Sequence, residues 1–259
     1  MQARILTRKQ SQPNTSAFRR EILRPSFSPL TSKLPSASVV KLPVDHIYFI
    51  SLKKATVRRN KLIEYLDSIR LTDQHGEKAE WHLANTGNII THWVDNSVKK
   101  SLNRPSMSIS EIGCCASHRE VWTKIVQNGH QSALILEDDA RFEFEMLKNL
   151  INNWDKLPEF DFLHLGWNYY AGYKPQTIEA VDIPELPGLW KGDGMWLTHA
   201  YIITNELALD WLDRTYRQTN GLDAMTADMQ SDCRAYGFKP HIAGQEFRGA
   251  GMKSQIRHT

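Results

Sequence analysis

The stretch Ala133-Leu134-Ile135-Leu136-Glu137-Asp138-Asp139-Ala140 decides how the rest of the chain is read. Its four apolar residues suit a strand driven into a core. Three carboxylates then stand where that strand leaves the core. In open α/β sheets, ligands bind beyond the carboxyl ends of the strands. Three adjacent anions repel one another and are costly together unless a cation stands among them. Oxygen-only ligands on a turn suit Mg²⁺ or Mn²⁺, which keep open positions for phosphate oxygens. The plainer alternative is a solvated acidic turn leading into a helix N-terminus, where acids are favoured by the dipole.

Outward from this strand, apolar patterning alternates between short β-rich runs and helical spacing. Ile47 to Leu52 reads as a buried strand, and Leu62, Ile63, Leu66 and Ile69 recur at helical spacing over Thr56 to Arg70. Strand-like pieces follow near Trp81 and from Ile89 to Val94. Ser108 and Glu111 form a Ser-x-x-Glu capping box that starts a helix to about Gln127, with Gly129 placed to end it. Ile112, Cys115, Trp122 and Val126 lie along one stripe of that helix and belong to a core. A helix follows around Phe144 to Trp154, then strands at Asp161 to Leu165 and Ala200 to Thr204, with helices at 205–217 and 223–236. Strands alternating with helices predict an α/β fold: a mainly parallel, Rossmann-type sheet with helices on both faces.

Composition narrows the classes. The chain has 259 residues, suited to one decorated α/β domain, and its longest apolar runs fall far short of the ~20 residues of a membrane helix. Three cysteines, two of them adjacent, make neither a disulfide framework nor a four-ligand zinc cluster and fit a reducing compartment. Residues 1–45 hold five prolines, seven serines and no glycine, with eight Lys/Arg against two acids. That composition reads as a disordered basic tail, leaving 46–259 as the folded domain. The remainder is mildly acidic, which argues against nucleic acid as a partner. No apolar segment of a secretory signal follows the basic start, so the expectation is a cytoplasmic protein, with organelle targeting by the tail or its peripheral contact with an anionic membrane left open.

Four segments in order resemble the family-25 glycosyltransferases, the group of lipooligosaccharide and collagen galactosyltransferases. They are Ile47 to Leu52 with Arg58-Arg59, then Glu111-Ile112-Gly113-Cys114-Cys115-Ala116-Ser117-His118 with Trp122, then Ala133 to Asp139, then Thr198-His199-Ala200-Tyr201-Ile202-Ile203. The resemblance spans roughly 46 to 256. It implies a GT-A-like fold, a UDP-sugar donor such as UDP-galactose, a divalent metal (Mn²⁺ or Mg²⁺) and a glycan or glycoconjugate acceptor, with inversion at the sugar. By analogy with Asp-x-Asp motifs, Asp139 is the first candidate metal ligand. Glu137 would meet the ribose or a metal-bound water, and Asp138 is the next candidate ligand.

Arg58 and Arg59 stand in the first turn of a helix, where positive charge is disfavoured, and a diphosphate is the partner that would justify one of them, Arg59 by preference. The alternative is a surface pair linked to neighbouring acids. His118 would have a structural or donor-contact role, since it and Ser117 face different directions on one helix. Cys114 and Cys115 read as small buried hydrophobes. Inversion needs a carboxylate to take the acceptor proton. The family carries an aspartate ahead of its last helix, and spacing to Phe238-Lys239-Pro240 favours Asp228, then Asp223, each weighed against a solvated helix face. Asp95, in Trp93-Val94-Asp95-Asn96, would meet the nucleoside. Gly192-Asp193-Gly194-Met195-Trp196 reads as a loop that covers a sugar or as an ordinary turn. Ser254-Gln255-Ile256 is a further, short point of likeness. The competing functions are a carboxylate hydrolase and a catalytically silent nucleotide-sugar-binding remnant of the fold.

Overall fold

The computed structural model describes residues 39–88, 92–101, 105–168 and 178–246. Eight strands form the main sheet: β1 (His46–Ser51), β2 (Glu80–Leu83), β3 (Ser132–Glu137), β4 (Phe162–His164), β5 (Ile178–Ala180), β6 (Leu189–Gly192), β7 (Ala200–Thr204) and β8 (Ala235–Phe238). Their spatial order is β2-β1-β3-β7-β4-β8-β6-β5. The sheet is mixed, which corrects the expectation of a mainly parallel one. The pairs β1–β2, β1–β3 and β4–β8 run parallel, while β3–β7, β7–β4, β8–β6 and β6–β5 are antiparallel.

Alternation along the central strands builds two cores. Ile47, Phe49, Leu134, Leu136 and Ile202 face one side, where helices α1 (Thr56–Ser68) and α3 (Phe144–Asn152) cover them with Leu62, Leu66, Leu147 and Leu150. Tyr48, Ile135, Tyr201 and Ile203 face the other, under α2 (Ile109–Asn128), α4 (Asn205–Arg214) and α5 (Leu222–Met229). Strands buried on both faces read as continuous apolar runs, which is why Ile47–Ile50 and Ala133–Leu136 stood out in the sequence. This α/β arrangement, with helices on both faces of a large sheet, is consistent with a GT-A-like fold.

The second core closes on three aromatic rings. Trp211 meets Trp122 edge-on at 5.6 Å and Phe162 at 4.7 Å between centroids, with Trp122 and Trp211 fully buried. Replacing Trp211 by alanine should cost about 3–5 kcal/mol, because the neighbouring rings cannot collapse into so large a gap. Thermal or urea unfolding measures it, and a loss below about 1 kcal/mol would mean this core is softer than its burial indicates.

Other boundaries moved. Packed chain begins before His46: Val40–Lys41 pairs in parallel with Leu71–Thr72, and Leu42 and Val44 are buried. The folded domain therefore takes in the last residues assigned to the tail, because alternate apolar residues there reach the first core. The capping box at Ser108 and the left-handed Gly129 end (φ 69°) both stand where the sequence places them. The helix expected over 223–236 stops at Met229, passes through a 3₁₀ turn at Gln230–Asp232 and becomes β8. The loop at 192–196 is pinned. Gln230 accepts from the Met195 N–H and donates to its carbonyl, both at 2.8 Å, while Trp196 and Asn168 exchange backbone hydrogen bonds. Residues 1–38, Ile89 to Thr91 and Ser254-Gln255-Ile256 lie outside the described residues. Among the described residues, no helix is long and apolar enough to cross a membrane.

Candidate active site

The topology brings four sequence-distant segments to one end of the sheet. β1 and β3 run parallel, so Ser51 and Glu137 emerge together. The antiparallel β7 enters beside them, with the Glu137 N–H donating to the His199 carbonyl at 2.8 Å, which sets Thr198 against Glu137. The segment after β8 returns as Ala243–Gln245, pairs with Ala140–Phe142 and places Gln245 opposite Ala140. The Glu246 N–H then donates to the Asp139 carbonyl at 2.8 Å.

The three carboxylates have different surroundings. Asp138 is buried and engaged on both oxygens: one accepts from the Ser51 hydroxyl at 2.8 Å and the other pairs with Arg58. Burial nonetheless holds its pKa above the ordinary value, against the pull of Arg58 and Ser51. Asp139 is pushed up to about 7, first by burial and then by the charge of Glu137, with Arg58 opposing. Its Oδ2 lies 3.2 Å from Arg58 Nη2, and its Oδ1 is buried with no hydrogen-bond partner. Glu137 goes the other way: burial acts to raise it, but hydrogen bonding and charge from His118, the charge of His199 and the Thr198 hydroxyl bring it below the ordinary range.

Thr198 joins Glu137 to Asp223. Its Oγ1 is 2.9 Å from Glu137 Oε1 and 3.0 Å from Asp223 Oδ1. One hydroxyl hydrogen cannot serve two carboxylates, so the pair is fully satisfied when Asp223 carries a proton and donates it to Thr198, which donates to Glu137. Burial, followed by the Glu137 charge, raises Asp223 to about 6, in keeping with that direction.

The motif on α2 divides by helix face. Gly113 and Ser117 dock the helix: a Cβ on Gly113 would stand 2.6 Å from the Asn85 carbonyl oxygen, and the Ser117 hydroxyl donates to the Gly113 carbonyl and accepts from the Asn85 N–H. Cys114 and His118, one position on, face the acids. Cys114 Sγ, a His118 ring nitrogen and a Glu137 oxygen lie within 4.8 Å of one another, a soft-metal donor set absent from the sequence reading of the cysteines as mere hydrophobes. The hydrogen bonds argue that the protein fills this set itself. Tyr201 accepts from Trp122 Nε1 at 2.9 Å and shares a hydrogen bond of 2.8 Å with His118 Nδ1. His118 Nε2 then faces Glu137 Oε1 at 3.7 Å. Burial, with the charges of Glu137 and Asp223, drives the Cys114 thiol well above its usual pKa, so it stays protonated.

Among the residues singled out in the sequence, Glu137, Asp138, Asp139, Arg58, His118 and Asp223 converge. Arg59 does not: it stacks on Trp81, 4.1 Å from the ring centroid, and donates to the Leu52 and Lys53 carbonyls. The preference for Arg59 over Arg58 is thus reversed, because a helix turns neighbouring side chains about 100° apart and Arg58 has the inner direction. Asp228 is exposed on α5, whereas Asp223 reaches the acids through Thr198, so the structure favours Asp223 over Asp228. Asp95 is taken up locally, accepting from the Ser97 N–H and from Arg217, which lower it to about 2. Ser51, Thr198 and Tyr201 gained no role from sequence. Thr198 and Tyr201 stood inside a quoted motif, but only the antiparallel register of β7 reveals what they touch.

The donor chemistry fits a divalent cation. Asp139 offers an unpartnered buried oxygen, Glu137 is ionised beside it, and both present hard oxygen ligands. Both Asp138 oxygens are already engaged, by Ser51 and by Arg58, so Asp139 and Glu137 are the better-placed donors.

The model of glycosyltransferase family 25 (LPS biosynthesis protein) matches residues 44–187. Human procollagen galactosyltransferase 2 is 25% identical over 171 residues, which are 64% of this chain and 27% of that one. A glycosyltransferase 25 family member of Anopheles gambiae is 32% identical over 106 residues, 40% of this chain and 18% of that one. A human relative named inactive glycosyltransferase 25 family member 3 is 26% identical over 174 residues, 65% and 29% of the two chains. The chain thus spans about a quarter of the length of the curated relatives it matches. Because the family model covers more than half of its residues, this chain belongs to glycosyltransferase family 25.

Proposed function

We propose that the chain transfers a hexose, galactose by the names of its relatives, from a UDP-sugar to a hydroxyl of a glycan or glycoconjugate, with inversion and with a divalent metal. The observation that carries this reading is the pairing of two unlike carboxylate sites at one sheet end. Asp139, with its orphaned oxygen, suits a cation, and Asp223, across Thr198 from Glu137, suits a base. Mn²⁺ or Mg²⁺ held by Asp139 and Glu137 would supply charge neutralisation for the departing diphosphate. Arg58 adds a fixed positive charge for the same oxygens.

Inversion requires the acceptor oxygen to form its bond to the anomeric carbon as the bond to the UDP oxygen breaks. The acceptor proton goes to Asp223, and the protonated carboxyl then donates to Thr198. A base with a pKa near 6 is largely ionised at neutral pH and still basic enough to accept that proton. Trp122, Tyr201 and His118 form a chain that ends on the same Glu137 oxygen, Oε1, that Thr198 meets.

The test is calorimetry of UDP and UDP-galactose binding with and without Mn²⁺, followed by measurement of sugar release from UDP-galactose. Metal-dependent UDP binding with slow turnover supports the reading. Binding without turnover under any acceptor points to a silent member, as one relative is named. No nucleotide binding under any metal condition overturns the reading.

A further inference from the structure

Arg58 occupies the place where a cation is wanted. Its Nη2 pairs with Asp138 and also lies 3.2 Å from Asp139 Oδ2, so one nitrogen serves two carboxylates. The rest of the group is less committed: Nε is buried and has no hydrogen-bond partner. The side chain comes from the first turn of α1, where the helix dipole disfavours its charge, and the contacts to Asp138 and Asp139 offset that cost. Asp139 carries the oxygen best suited to a metal, and it is the same carboxylate that Arg58 approaches.

We infer that Arg58 couples the two ligands of this site, opposing a divalent cation while it rests on Asp138 and Asp139 and favouring that cation once a diphosphate shares its charge. This rests on the proposed donor site. The physical ground is simple. Two cations on one carboxylate repel strongly in a partly buried setting. An anionic diphosphate between them turns that repulsion into two attractions, since guanidinium and metal can each take phosphate oxygens. Metal binding alone is therefore weak, nucleotide alone is weak, and each strengthens the other by one and the same factor.

The experiment is a titration of the full chain with Mn²⁺, followed by electron paramagnetic resonance of free Mn²⁺, in the absence and presence of saturating UDP. In the wild type, UDP should tighten Mn²⁺ by about tenfold or more. In Arg58→Gln, Mn²⁺ alone should bind more tightly than in the wild type, UDP alone more weakly, and the UDP effect on Mn²⁺ should shrink to the part that direct contact between metal and phosphate supplies. Arg58→Lys keeps the charge without the fork and should reduce the factor several-fold. It serves as the second variant should the glutamine protein not fold, as judged by circular dichroism.

If wild-type protein binds UDP with Mn²⁺ but the coupling factor is the same in the folded Arg58 variants, the inference is overturned and the donor-site reading stands. If wild-type protein binds no UDP under any metal condition, both are overturned.

Discussion

Asp139→Asn should abolish sugar transfer and, at alkaline pH, make the protein more stable than the wild type. The loss of activity is expected to be about 10²–10³-fold or more, because the substitution removes the ligand that would place positive charge on the leaving diphosphate. The gain in stability follows from the same carboxylate. In the unfolded chain an aspartate ionises near ~3.9, whereas in the fold Asp139 ionises at about 7. Between those values the folded state holds a proton that the unfolded state has released. The site's contribution to stability is therefore greatest below the unfolded value and is lost as pH rises through about 7. Asparagine never ionises. The melting temperatures of mutant and wild type should thus converge near pH 5 and separate near pH 8, with the mutant higher. Mn²⁺ at pH 8 should raise the wild-type value and leave the mutant unmoved. A mutant that melts lower than the wild type at pH 8, or that still transfers sugar, would remove Asp139 from the metal site.

Such a trade of stability for chemistry explains what the sequence could and could not reveal. Glu137-Asp138-Asp139 was visible because a buried apolar run ended in charges, a conflict between local pattern and burial that marks function. The central strands were visible for the same reason: Ala133–Leu136 and Ala200–Ile203 are buried on both faces and carry no polar interruption. β8 was missed because Ala235-Tyr236-Gly237-Phe238 follows a helix without an intervening proline or glycine to announce the change. Gly237 is needed there for close packing, as a Cβ would stand 2.6 Å from the Trp167 ring. The antiparallel entry of β7 left no local trace either, since strand direction depends on which edge the chain returns to. That one fact puts Thr198 beside Glu137, and without it the link to Asp223 cannot be drawn. The arginine pair shows the limit at single-residue scale: spacing located the pair, and only the orientation of α1 distinguished Arg58 on the acids from Arg59 on Trp81.

The same limit applies to the late aspartates, and here the two assignments make opposite predictions. Asp223 and Asp228 are five residues apart on α5, hence roughly 140° apart around the helix axis. What separates them is exposure and contact: Asp223 is half-buried with its carboxylate on Thr198, while Asp228 is exposed. Asp223→Asn should therefore lower kcat by about 10²–10⁴-fold, the usual worth of a positioned general base, with UDP binding retained. The hydrogen-bond chain through Thr198 should survive, because an amide can still donate to the hydroxyl, and what is lost is the ability to take the acceptor proton. Asp228→Asn should transfer sugar at close to the wild-type rate, as exposed substitutions away from a site do. In the wild type, kcat/KM should fall as pH drops below about 6, where Asp223 gains its proton before the acceptor can offer one. Steady-state kinetics of the two variants decide the matter together. A silent Asp228 and a crippled Asp223 place the base at the Thr198 bridge. The reverse outcome would mean that the acceptor enters from the outer face of α5 and that the Asp223–Thr198–Glu137 chain only stiffens the acid cluster.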